Sequence, residues 1–156
     1  MASLQREAAG SGTISVRALR RYFAVIIPAN LVWEFAHMPL YTIWFEGTAG
    51  EIVFAAVHCT GGDILIAMSA LVLALLLAGS GWPEDRGAAR RVALLAVPFG
   101  IGYTIFSEWL NIVIRAAWAY SDLMPVVPII DAGLSPLLQW LVIPLAGFWW
   151  AARPFR

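Results

Sequence analysis

Residues 52–77 read IVFAAVHCTGGDILIAMSALVLALLL, an apolar run broken only by His58, Asp63 and a few small polar residues. It exceeds the ~20 residues that cross a bilayer as a helix. The segment after it, GSGWPEDRGAARR (residues 79–91), has the opposite character: Pro83 with Gly79, Gly81 and Gly87 marks a turn. Working outward, further apolar runs occupy residues 22–45, 92–120 and 125–151. An all-α fold is predicted, a four-helix transmembrane bundle forming one domain over residues 20–152. Residues 1–13 are rich in Gly, Ala and Ser and are expected to be disordered, within an N-terminal cytoplasmic stretch of residues 1–19. Residues 153–156 form a short cytoplasmic tail. The fourth run is ambiguous, because Ser135-Pro136 resembles an N-cap followed by proline at the first helical position. Its helix would then run from 136 to 151, and residues 124–134 would be an outer segment dipping into the protein.

The composition agrees with lipid as the solvent. The 156 residues are 61% hydrophobic, with a mean hydropathy of +0.77. A soluble chain of this length buries too little of its surface to hide that much apolar area. All ten basic residues are Arg, and all but Arg115 lie outside the apolar runs. Arg17, Arg20 and Arg21 precede the first run, Arg86, Arg90 and Arg91 separate the second and third, and Arg153 and Arg156 follow the fourth. The positive-inside rule puts all three clusters, and both termini, in the cytoplasm. The opposite loops hold Glu46, Glu51 and Asp122 and no base. A multi-pass protein of the bacterial inner membrane is expected. No basic face suits nucleic acid, and the single Cys59 excludes an internal disulfide. The first run has no small-residue cleavage site after it and reads as a retained helix.

The informative residues are the polar ones inside the apolar runs: Asn30, Glu34, His37, His58, Asp63, Glu108, Asn111, Arg115, Asp131 and Gln139. An ionisable group in the hydrocarbon costs ~2.5–3.5 kcal/mol on insertion scales, so it is expected to face a protein interior and a partner. Counted from the outer end of each run, most of these groups share a layer ~9 Å thick in the outer half of the membrane. Glu34 and His37 project together at i, i+3, and Glu108, Asn111 and Arg115 form a second stripe. His58 and Asp63 differ by ~140° around an ideal helix, unless Gly61-Gly62 loosens the turn. Four carboxylates (Glu34, Asp63, Glu108, Asp131) face one fixed cation, Arg115. Protonation, charged histidines or a bound cation must supply the balance.

Several chemistries fit this layer. Glu34 and His37 form a Glu-x-x-His pair of the kind found in carboxylate-bridged di-metal bundles. His58, Asp63 and Glu108 would complete a set for a divalent transition metal, although the same pair also serves as a helix-packing hydrogen bond. His37 and His58, at matching depth, could be haem ligands or satisfied core histidines, and the core reading is preferred. Cys59 reads as a small core residue rather than a soft metal ligand. Arg115 either neutralises Glu108 or Asp131, or holds an anionic head group. Asn111, Asp131, Gln139, Trp33 and Trp109 are candidate substrate contacts, the tryptophans serving equally as packing.

The stretches ANLVWEFAHMPLY (29–41), HCTGGDILIA (58–67), SEWLNIVIRAAWAYSDLMP (107–125) and GLSPLLQWLVIP (133–144) together resemble a group of small four-span bacterial inner-membrane proteins. That likeness implies the fold and the location and no activity. The segment Asn30-Leu31-Val32-Trp33-Glu34 is also similar to the Asn-x-x-Trp-Glu stretch of integral-membrane terpene cyclases. That resemblance implies a proton-donating role for Glu34 alone.

The expected function is a membrane-embedded enzyme acting on a lipophilic small molecule by acid–base chemistry, with or without a metal. Glu34, Glu108, His37 and His58 are its candidate catalytic residues. A metal- or haem-binding protein without turnover is the first alternative and a small transporter the second. The bilayer is the expected partner, and a homo-oligomer is compatible with so thin a bundle.

Overall fold

The computed structural model describes residues 15–78 and 81–153. The expected disorder of residues 1–13 and the contributions of Gly79 and Arg156 lie outside the described residues. Among the described residues four helices are long and apolar enough to cross a membrane. We label the helices α1 (Val16–His37), the short α2 (Ile43–Glu46), α3 (Ala49–Ala78), α4 (Arg86–Trp109) and α5 (Leu134–Ala151).

Three of the four long helices start where the sequence supplies a side-chain cap. Ser15 Oγ accepts from the Ala18 amide at 3.4 Å, and an Asp85 carboxylate oxygen accepts from the Ala88 amide at 2.6 Å. At the start of α3, Glu51 accepts from both the backbone amide and the hydroxyl of Thr48, each at 2.8 Å. Thr48 Oγ1 accepts in return from the Glu51 amide, which makes a reciprocal capping box.

The helices close a ring in which α1 packs on α3, α3 on α4, α4 on α5 and α5 back on α1. Thus α1 and α4 stand diagonally opposite. The end of the bundle nearer the termini is apolar, built around Tyr22, Ile26, Leu71, Val92 and Phe148. Small residues bring the helices close there and toward the middle. A Cβ on Gly100 of α4 would overlap the Trp140 ring of α5, so only glycine permits that approach. The outward faces are apolar too: Leu76 is 77% and Leu94 62% exposed. A water-soluble bundle would place polar side chains there, whereas lipid accepts these.

The two loops at the opposite end are bound together. A 3₁₀ turn, Met38–Leu40, follows α1. Tyr41 then forms an isolated antiparallel bridge with Tyr120. The Thr42 amide donates to the Ala119 carbonyl and the Ser121 amide to the Leu40 carbonyl, each at 3.0 Å. Residues after α4 continue as a π-helical turn, Leu110–Ile114, and Ala116 takes a positive φ of 47°. A two-residue hairpin, β1 (Val126–Val127) and β2 (Ala132–Gly133), leads into α5.

These loops correct three expected boundaries. The first helix stops at His37 instead of residue 45, where Pro39 interrupts the amide series. The third run leaves helix at Ile114 rather than residue 120. The fourth helix begins at Leu134, capped by Gly133, so Ser135 lies inside its first turn and its side chain is free for other work. Gly61 and Gly62 do not loosen α3, which is α-helical from Ala49 to Ala78.

Candidate functional site

Most of the polar layer gathers at the loop end of the bundle, and Glu34 is the hub of its largest network. Glu34 is only 4% exposed, on the inner face of α1. Its Oε1 accepts from Gln139 Nε2 at 2.9 Å. The same Gln139 nitrogen stands 2.9 Å from Asn30 Oδ1 and 2.9 Å from Asp63 Oδ2. An amide nitrogen has two hydrogens for these three acceptors. Glu34 and Asp63, from two different helices, thus meet at one amide nitrogen. Asn30 is held in place by donating to the Ile26 carbonyl at 2.8 Å.

The other oxygen of Glu34 meets a relay. Oε2 lies 3.1 Å from His37 Nε2, as the i, i+3 spacing on α1 anticipated. His37 Nδ1 lies 3.1 Å from Ser135 Oγ, which accepts from the Trp33 indole N–H at 3.2 Å. Trp33 can only donate, so the Ser135 hydroxyl hydrogen is free to point at His37. The imidazole is thereby fixed at both nitrogens, with Nε2 facing the carboxyl.

Across the bundle, α4 presents Glu108. Its Oε2 accepts from Tyr120 O–H at 2.5 Å and from Tyr41 O–H at 3.3 Å. The Tyr120 oxygen in turn accepts from the Gly133 amide at 2.7 Å, so the hairpin entering α5 is anchored to the carboxyl. Burial, and then the neighbouring Glu108, push the phenols of Tyr41 and Tyr120 above their ordinary value. Both therefore remain donors at neutral pH. The Tyr41 ring also packs edge-on against His37, with centroids 5.3 Å apart, which links the two carboxyl centres.

Between these networks lies a cavity of about 460 Å³, inside the ~300–1,000 Å³ range of small-molecule sites. One wall is α3, from Glu51 through His58, Cys59 and Asp63 to Ile66. The opposite wall is α4 and its π-turn, with Thr104, Glu108, Asn111 and Arg115. Trp118, Pro136 and Trp140 add apolar surface. Two lining residues carry buried polar atoms with no hydrogen-bond partner among the described residues, Thr104 Oγ1 and Trp118 Nε1.

Most residues singled out from the sequence converge here: Glu34, His37, Asp63, Glu108, Asn111, Arg115 and Gln139 all line the cavity. His58 lines it as well, but it is exposed and stacks on Phe54 at 5.5 Å rather than joining a network. Trp33 stands behind Ser135 and contributes through it. Two expectations fail. Asp131 is exposed, at φ 47° in the hairpin turn, and does not reach the cavity. Trp109 is half exposed on the outer face of α4, beside Phe106.

The expected metal set is also corrected. Among the described residues no three His, Cys, Asp or Glu side chains converge as a metal site. Glu34 and Asp63 gather at Gln139, Glu108 is turned to the tyrosines, and His58 stands apart. The pairing of His37 and His58 on a haem iron fails for a related reason, since both nitrogens of His37 are engaged. Arg115 likewise departs from its simplest role. It pairs with no carboxylate among the described residues and donates to Asn111 Oδ1 at 3.4 Å.

Sequence reasoning passed over Tyr41, Tyr120 and Ser135 as site residues. From the sequence Ser135 reads as a helix cap, and nothing in the local pattern marks Tyr41 or Tyr120. Ser135 shares a helical stripe with Gln139, as their four-residue spacing predicts for a helix through both. No known protein family, curated protein or solved structure matches the chain.

Proposed function

We propose that this chain is a multi-pass enzyme of the bacterial inner membrane that performs acid–base chemistry on a lipophilic small molecule. One observation carries the reading: Glu34 and Glu108, from diagonally opposed helices, face one intramembrane cavity, and each is held by its own hydrogen-bond network. The Glu34–Asp63 pair shares a proton that it can deliver into the cavity. His37, backed by Ser135, returns that proton and restores the pair. Glu108, with two phenolic donors on one oxygen, steadies positive charge developing on the substrate or takes up a proton from it. The likeness of Asn30–Glu34 to the corresponding stretch of membrane terpene cyclases supports the donor role of Glu34.

The Arg clusters support an orientation with both termini in the cytoplasm, which places the site in the outer half of the bilayer. A transporter is less well supported. The half of the bundle beyond the cavity is filled by Tyr22, Ile26, Leu71, Val92 and Phe148, and the described residues offer no polar route through one protomer.

The test is incubation of the purified protein with vesicles of bacterial total lipid extract, followed by mass spectrometry of the lipids. A species consumed by the wild type, and left untouched by Glu34→Gln and Glu108→Gln variants of unchanged melting temperature, is the expected result. Conversion at the wild-type rate by both variants would sink the catalytic assignment. A wild type that retains a lipid through purification and converts nothing would make this a binding protein without turnover.

A further inference from the structure

Thr104 is 94% buried by its 6% relative exposure, lines the cavity, and has no hydrogen-bond partner for its hydroxyl. A helical threonine in an apolar setting ordinarily turns back on the carbonyl four residues earlier. Thr60 of this chain does so, donating to the Ala56 carbonyl at 2.8 Å. Thr104 does not bond the Gly100 carbonyl, and leaving a buried hydroxyl unpaired is costly. At the other end of the same wall, Trp118 Nε1 is also buried and unpaired. Beside it Arg115, exposed at the edge of the cavity it lines, has no carboxylate partner among the described residues. The carboxyl groups between these ends already have hydrogen-bond partners.

These open valences define a ligand by position. At the mouth a guanidinium and an indole N–H await an acceptor, and the guanidinium favours an anion. Roughly 15 Å deeper along α4, from the rise per residue, a hydroxyl awaits an oxygen function one helical turn below Glu108. Resting on the acid–base reading above, we propose that the cavity takes a linear anionic amphiphile. Its carboxylate or phosphate sits at Arg115 and Trp118, and an oxygen function at the far end of its chain bonds Thr104. The anion at the mouth is remote from the chemistry and serves to deliver the oxygen-bearing end to Glu34, Asp63 and Glu108.

The experiment is calorimetric titration of the full chain in phosphatidylcholine nanodiscs. The four probes are 12-hydroxydodecanoate, 12-hydroxydodecyl phosphate, dodecanoate and 1,12-dodecanediol. One or both of the hydroxylated anions should bind about tenfold or more tighter than the diol, which lacks the anion, and than dodecanoate, which lacks the hydroxyl. Whichever anion binds better identifies the head group. Arg115→Gln should erase the advantage over the diol alone, and Thr104→Val the advantage over dodecanoate alone. A diol that binds as well as the hydroxylated anions, or variants that keep the wild-type ranking, would overturn the proposal. Its failure separates from that of the acid–base reading. If Glu108→Gln still stops lipid conversion while the probes do not discriminate, only the ligand class falls. If the probes discriminate and the glutamate variants convert lipid as the wild type does, only the chemistry falls.

Discussion

Gln139 of α5 donates to Glu34 of α1 at 2.9 Å, across a sequence separation of 105 residues. The same nitrogen meets Asn30 and Asp63, so three helices are joined at one amide. Gln139→Leu roughly preserves volume and removes the two amide hydrogens that Asn30, Glu34 and Asp63 share. Each orphaned group costs ~1–3 kcal/mol. The variant should therefore melt well below the wild type in the same detergent. A melting temperature unchanged within error would mean that the amide is incidental to the bundle.

Tyr120→Phe breaks two bonds at once, to Glu108 and from the Gly133 amide. Tyr41→Phe breaks one longer bond to Glu108. The first should destabilise more, by ~1–3 kcal/mol, and should raise hydrogen exchange in the hairpin 126–133. The second should leave hairpin exchange as it was. Equal protection of the hairpin in both variants would show that Tyr120 does not anchor it.

The same phenols give a pH signature. Burial and Glu108 raise their folded values above the usual 10, so the folded state holds these protons more tightly than the unfolded state does. Their contribution is fully present below about pH 10 and is lost as pH rises toward the folded values. Melting temperature should fall above about pH 10, less steeply in the Tyr41→Phe/Tyr120→Phe double variant. Absorbance at 295 nm should show both phenols protonated there while the protein is folded. Ionisation of all four tyrosines near pH 10 in folded protein would contradict this.

Gly62 and Gly100 offer a contrast in space. A Cβ on Gly62, which lines the cavity, meets no atom within 4 Å, whereas one on Gly100 overlaps Trp140. Gly62→Leu should leave the melting temperature equal or higher, because it improves helix propensity, while reducing lipid conversion about tenfold or more by filling the site. Gly100→Ala should destabilise by ~1–3 kcal/mol through overpacking. A Gly62→Leu protein of wild-type activity would place the reaction elsewhere.

The four spans were legible because each carries an apolar run of bilayer length, a property of composition that survives ignorance of contacts. The core of the site was legible for a related reason. Glu34, His37, Asp63 and Glu108 are expensive residues at matched depths, and burial obliges them to meet. What failed involves loops. Asp131 was placed in the layer on the assumption that residues 125–134 continue a helix, but they form a hairpin whose turn lies outside the cavity. Tyr41 and Tyr120 meet through pairing of two loops 79 residues apart in sequence, and neither residue is costly enough at an interface to signal a partner. Trp33 and Ser135 meet across 102 residues for the same reason. Arg115 illustrates the limit of charge counting: of its two expected roles, pairing with Glu108 or Asp131 or holding an anionic group, the first is not observed, because two phenols serve Glu108 instead.

The π-turn at Leu110–Ile114 sets the rotational phase of everything that follows it. It is equivalent to one extra residue wound into an α-helix. A single-codon deletion within it would let α4 run on regularly, and the chain beyond would turn by ~100°. Arg115 and Trp118 would swing away from the cavity and Tyr120 from Glu108, while Thr104 and Glu108 stayed where they are. Substitutions can retune this site one contact at a time, but a length change of one residue divides it in two, keeping its floor and removing its gate. Among descendants of this chain, insertions and deletions should therefore be rarer in this five-residue segment than its lipid-facing side chains alone would suggest.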